Sequence, residues 1–208
     1  MISFVYFDVG GVIIKDFSAS NKWQEMERDL GITPDKKEKF IQFWDKYKNA
    51  IGIDQDIDLL IPELSSKLDL KLPEDYSWLT DFINRFEQNR SIWSVINSTK
   101  TKYKIGLLTG MYPRMLDAIK AANLLPPIEW DVIVDSSVVK LQKPDPAIYQ
   151  LAEVKAGVKP EEILFVDNVE KNLVPAKARG WQTFFYDSTN YEQSTQKLAD
   201  FLQKEIKS

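Results

Sequence analysis

Strand-length apolar runs alternating with helical segments are what most restrict the fold of this chain. The runs lie at Ile2 to Phe7, Lys104 to Leu108, Val132 to Val134, Ile163 to Val166 and Thr183 to Tyr186. Between the later runs lie helical patterns with clear punctuation: a segment with Pro113 near its start and Asn123 at its end, "KPDPAIYQLAEVKAG" closing on Gly157, and "EKNLVPAKARG" closing on Gly180. Strands that alternate with helices predict a parallel sheet covered on both faces, an α/β fold with a three-layer, Rossmann-like core.

The stretch from Asp16 to Lys100 is different, because it carries helical signatures almost without a strand. "SNKWQEMERDLG" closes on Gly31, "TPDKKEKFIQFWDKYKNA" opens with Thr33 as N-cap and Pro34 at the first helical position, and "DYSWLTDFINRFEQN" follows. We therefore expect a core built from residues 1–15 and 101–208, with residues 16–100 as a helical insertion. Trp23, Trp44, Trp78 and Trp93 either line a pocket there or form plain core, and aromatic residues at helical spacing are more often core.

Composition then removes whole classes of chemistry. The 208 residues include neither cysteine nor histidine. Disulfides, thiolate nucleophiles, Ser-His-Asp triads and His-ligated zinc are excluded, leaving carboxylates, lysine, hydroxyls and backbone. A metal held by such groups would be a hard cation such as Mg2+. A net charge of −4 with scattered lysines offers no broad basic surface, so neither nucleic acid nor membrane is an expected partner. The N-terminal apolar stretch lacks a basic flank and is interrupted by Asp8, so it reads as a strand rather than a signal peptide. Together with the missing cysteines, this points to a cytoplasmic location; oligomeric state is left open.

In open α/β sheets, ligands bind outside the carboxyl ends of the strands. Polar residues cluster at such ends here: Asp8-Val9-Gly10-Gly11-Val12, Leu107-Leu108-Thr109-Gly110, Lys143-Pro144-Asp145-Pro146 and Phe165-Val166-Asp167-Asn168. Singly, each is more often a turn, helix-cap or solvated loop residue; together they read as one site. Gly10-Gly11 is no dinucleotide fingerprint, since the further glycine and the immediate helix are missing.

In that order the four segments resemble the haloacid dehalogenase superfamily of hydrolases, most of whose members are metal-dependent phosphatases. The resemblance covers nearly the whole chain. It implies Asp8 as nucleophile, Thr109 as the hydroxyl closing the second motif, Lys143 in "QKPDPAIY" as the lysine, and Asp167 in "LFVDNVEKN" as the metal acid, with Asn172 at a frequently used asparagine position. The helices between the first two motifs would correspond to a C1-type cap. The family's first motif carries a second aspartate where this chain has Gly10, so the resemblance implies Mg2+ held by Asp8, Asp167 and the Gly10 carbonyl. Thr109, Gly110 and Lys143 would bind the phosphoryl group.

The resulting expectation is a Mg-dependent phosphatase of a small phosphorylated metabolite, sugar phosphate-like, acting through an aspartyl phosphate on Asp8. Lacking the usual acid/base aspartate at Gly10, it would be slowed, since proton transfer of this kind is worth about 10²–10⁴ in rate. Asp16 offers itself as a substitute but reads more simply as a turn or N-cap residue, and Gly10→Asp is expected to speed turnover on alkyl phosphates. The alternatives are a non-catalytic domain that binds a phosphorylated ligand or a protein, and a haloacid dehalogenase. Retention of Asp167 speaks against the dehalogenase.

Overall fold

The computed structural model describes residues 1–205. The core strands are β1 (Phe4–Phe7), β4 (Lys104–Thr109), β5 (Val132–Asp135), β6 (Ile163–Asp167) and β7 (Gln182–Phe185). They form one parallel sheet in the order β5-β4-β1-β6-β7. Every expected run becomes one of these strands, with ends shifted by one or two residues.

Helices cover both faces, as the sequence requires of a buried parallel sheet. Along β1, Phe4 and Tyr6 face one cluster while Val5 and Phe7 face the other, and β6 divides Ile163 and Phe165 from Leu164 and Val166 in the same way. The first cluster lies under α8 (Pro146–Ala156) and α9 (Glu170–Ala178), through Ile148, Tyr149, Ala152, Leu173 and Ala176. The second is closed by α5 (Arg90–Lys100), α6 (Met115–Ala121) and α10 (Tyr191–Glu205), through Ile92, Ile96, Leu116, Ile119, Leu198 and Leu202.

Between β1 and β4 the chain forms α1 (Lys22–Asp29), α2 (Lys37–Ile51), α3 (Ile61–Leu68) and α4 (Trp78–Arg85) before α5. Ser77 caps α4 by accepting from Thr80 N at 3.0 Å. Thr33 does not cap α2: Thr33 and Pro34 close a turn instead, with Lys36 N donating to Thr33 O at 2.9 Å, and the helix begins at Lys37. The two crossings between core and helices are tied together by a short antiparallel pair, β2 (Ile14–Lys15) with β3 (Glu87–Gln88), two strands within a stretch that reads as helical. Just past β3, the wholly buried Asn89 donates to Val12 O at 2.7 Å and to Tyr186 Oη at 2.9 Å.

The last helix of the stretch from Asp16 to Lys100, α5, packs against α10 and β4, because its apolar face carries Ile92 and Ile96 toward the sheet. Among the tryptophans, Trp78 is wholly buried and donates to Met26 Sδ at 3.4 Å, and Trp93 sits on α5 beneath Arg90. Among the described residues, no helix is long and apolar enough to cross a membrane.

Candidate active site

The strand order reverses direction at β1, between β4 and β6, which is where an open parallel sheet opens a crevice at its carboxyl edge. Three strands end there in polar residues. Asp8 follows β1, Thr109 closes β4 and Asp167 closes β6, all three buried. Backbone pairing continues one step past β1, with Asp8 N donating to Val166 O at 2.9 Å, so the position of Asp8 is set by the sheet itself.

Lys143, in the loop before α8, reaches into this edge with its side chain only 4% exposed. Its Nζ lies 3.1 Å from Asp8 Oδ2 and 2.6 Å from Asp167 Oδ2, and donates to Leu108 O at 3.1 Å. Asp167 is further held by Val169 N at 2.7 Å and by Asn172 Nδ2 at 3.1 Å. Asp8 Oδ1 accepts from Val9 N at 2.8 Å. The structure thus brings Asp8, Lys143 and Asp167 into contact and places Thr109 at the same edge, while Gly110 lines the cavity in front of them.

The electrostatics follow from burial. Removal from water pushes the Asp8 carboxyl up to about 6; the Lys143 charge opposes this and the Asp167 charge reinforces it. Burial alone would lower Lys143, yet the neighbouring charges of Asp167 and Asp8 outweigh it and hold the ammonium above its ordinary value. The Thr109 hydroxyl stands close enough to Asp8 to favour its ionised form, but makes no hydrogen bond of ordinary geometry. Asn172 Oδ1 is likewise buried without a partner. Unpaired buried polar atoms are scarce in native proteins, and two of them, Thr109 Oγ1 and Asn172 Oδ1, lie at this one edge.

Two cavities adjoin here. One, of about 240 Å3, is lined by Asp8, Lys143, Asn172, Gly110 and Tyr112. The other, of about 150 Å3, shares Gly110 and Tyr112, and runs from Gly10 and Asp16 between the aromatic rings of Phe17, Trp23 and Phe82. Of the four tryptophans singled out from the sequence, Trp23 alone lines either cavity.

The loop after Asp8 is folded tightly. Ile13 N and Ile14 N both donate to Val9 O, and Gly11 N donates to Ile14 O at 2.9 Å, so the chain returns on itself and sets β2 beside Gly10. Gly11 has φ of 71°, and a Cβ there would lie 2.1 Å from Asn168 Nδ2, so only glycine fits. Gly10 is constrained from the other side: a Cβ on it would lie 2.5 Å from Asp16 Oδ2. A side chain at position 10 would therefore meet the tip of Asp16, which would have to shift to admit it. Asp16 is a turn residue, accepting from Ser18 N at 2.8 Å, and it does not cap α1, whose N-cap is Asn21. Its nearness to Gly10 had no signal in local sequence, since it depends on the closure of the 10–14 turn.

Residues 3–180 match the haloacid dehalogenase-like hydrolase family. The chain belongs to that family of hydrolases. It is 24% identical over 188 residues to (S)-2-haloacid dehalogenase 1 of Pseudomonas sp. (strain CBS-3), covering 89% of this chain and 77% of that protein. Rhythmically expressed gene 2 protein of Drosophila melanogaster is 28% identical over 108 residues, covering 50% of this chain and 41% of that relative, so the match spans less than half of its length. In three dimensions the chain is similar to a HAD family enzyme of Bacteroides thetaiotaomicron solved in complex with magnesium and inorganic phosphate, with TM-score 0.71, 17% identity, and 91% and 96% of the two chains covered.

Proposed function

We propose that this hydrolase is a Mg2+-dependent phosphatase of a small phosphorylated metabolite, with Asp8 as nucleophile. The observation that carries the reading is the Asp8–Lys143–Asp167 chain at the reversal of strand order, facing a cavity beside the unpaired hydroxyl of Thr109. A carboxylate that must attack phosphorus needs positive charge around the phosphoryl oxygens, and Lys143 supplies one such charge at the point of attack.

The groups near Asp8 that can ligate a cation offer oxygen, which suits Mg2+ rather than a softer ion. Among the described residues no three acidic side chains converge on one point. The cation would be held by the Asp8 and Asp167 carboxylates and completed by the Gly10 carbonyl and water. When bound, it would offset repulsion between carboxylate and phosphoryl oxygens. Thr109 Oγ1, Gly110 N and Lys143 Nζ would hold those oxygens, and α1–α4 would form a cap over the leaving group, with the aromatic cavity receiving it.

The test is phosphate release from an aryl phosphate with and without Mg2+, comparing the native protein with Asp8→Asn, and mass spectrometry of acid-quenched protein for a phosphorylated Asp8. Activity that requires both Mg2+ and Asp8 supports the reading. The similarity to (S)-2-haloacid dehalogenase 1 favours a second reading, in which Asp8 displaces halide from a 2-haloacid. Halide release from 2-chloropropionate without Mg2+, and no phosphate release, would decide for it.

A further inference from the structure

A phosphatase of alkyl esters must deliver a proton to an oxygen that leaves poorly as an alkoxide, and must then take a proton from the attacking water. Asp8, Lys143 and Asp167 are committed to one another by ion pairs. Residue 10 is glycine and has nothing to give. In the adjoining aromatic cavity the titratable side chains are Asp16 and Tyr112, and burial holds the Tyr112 phenol above its ordinary value, so it does not serve as a base.

The position of Asp16 is specific. Its Oδ1 is anchored by Ser18 N at 2.8 Å, while Oδ2 is turned to the α-carbon of Gly10, 2.5 Å from where a Cβ would stand. The carboxyl occupies the volume of a missing residue-10 side chain, entering from the far end of the 10–14 turn. Ser18 Oγ in turn accepts from Asn168 Nδ2 at 3.1 Å, which ties this loop to the residue following Asp167. An acidic side chain lining a cavity shared with Phe17, Trp23, Phe82 and Met111 is otherwise an expensive occupant of apolar surroundings.

We propose that Asp16 is the proton-transferring residue of this site, supplying from across the turn the carboxyl that Gly10 lacks. The proposal rests on the phosphatase reading above. In the first step Asp8 forms a bond to phosphorus, the bond from phosphorus to the leaving oxygen breaks, and the proton of the Asp16 carboxyl passes to that oxygen. In the second, water attacks phosphorus and gives its proton to Asp16, the Asp8–phosphorus bond breaks, and inorganic phosphate leaves with both carboxyls restored.

The experiment uses the full chain with Mg2+ and two probes, 2,4-dinitrophenyl phosphate, whose leaving group needs no proton, and an alkyl phosphate, whose leaving group does. Asp16→Asn is expected to lose about 10²–10⁴-fold with the alkyl phosphate, less than about tenfold in phosphorylation by the aryl phosphate, and to accumulate phosphorylated Asp8 in acid-quenched samples. The relocated variant Gly10→Asp/Asp16→Gly should regain alkyl phosphate turnover, whereas Gly10→Asp alone should not exceed the native rate, since the two side chains compete for one space. An equal loss in the phosphorylation step with both probes, or no loss with either, overturns the role of Asp16 while leaving Asp8 as nucleophile. If the native protein forms no phosphorylated Asp8 with either probe, the phosphatase reading falls and the proposal with it. Should Asp16→Asn fail to fold, the relocated variant decides alone: recovery on the alkyl phosphate supports the proposal, and its absence in a folded protein overturns it.

Discussion

Lys143 Nζ and Asp167 Oδ2 meet at 2.6 Å, with side chains 4% and 0% exposed, so the ion pair is closed off from solvent. Such a pair adds little net stability over an apolar substitute, but removing one partner leaves a buried charge uncompensated. Lys143→Met is expected to destabilise the protein by about 3–5 kcal/mol. Urea unfolding checks this, and Lys143→Met/Asp167→Asn should recover part of the stability without any activity. Equal stability of the native and Lys143→Met proteins would contradict the geometry.

The Asp8 carboxyl, raised to about 6 by burial first and by Asp167 second, gives stability a definite pH dependence when no divalent cation is present. In the unfolded chain an aspartate titrates near ~3.9. Between these values the folded protein binds more protons than the unfolded one, so stability is fully present below about pH 4 and declines as pH rises through 6. Asp8→Asn should abolish that part of the slope in a series of urea titrations. Because a cation needs the ionised carboxylate, Mg2+ affinity measured calorimetrically should rise over the same interval.

Gly11 combines φ of 71° with the approach of Asn168 Nδ2 to 2.1 Å from where its Cβ would stand. Gly11→Ala should lose at least about 1 kcal/mol and displace the 168 amide, observable by unfolding and as a shifted Asn168 side-chain amide resonance. Native-like stability together with an unshifted resonance would be inconsistent with this turn.

Trp23 and Trp78, which both pack against Trp44 and Phe82, should behave differently. Trp78 is wholly buried, and Trp78→Ala is expected to cost about 3–5 kcal/mol. Trp23 lines the cavity next to Asp16, so Trp23→Ala should raise KM for bulky phosphate esters several-fold while costing less stability. Steady-state kinetics over esters of increasing size separate the two effects. An unchanged KM across the series would remove Trp23 from the substrate cavity.

Much of the sheet was legible because its information is local. Each strand announces itself as a short apolar run, and the polar residue that ends it marks the carboxyl edge, which is how Asp8, Thr109 and Asp167 come to share that edge. Lys143 was legible only within its motif, since a loop lysine has no periodicity to place it. Helix ends were less legible: Thr33 and Pro34 carry the residue types of a helix start, yet the chain spends them on a turn before Lys37.

The sequence by itself determined the α/β class, a parallel sheet covered on both faces, and the chemistry open to a chain without histidine or cysteine. Tertiary structure decided which side α5 covers, that Trp23 rather than Trp93 meets the cavity, and that Asp16 fills the space beside Gly10. The reason is physical. Apolar periodicity fixes which face of an element seeks burial, but not what it is buried against; that depends on contacts between distant segments, such as β2 with β3 and Asn89 with Val12 and Tyr186.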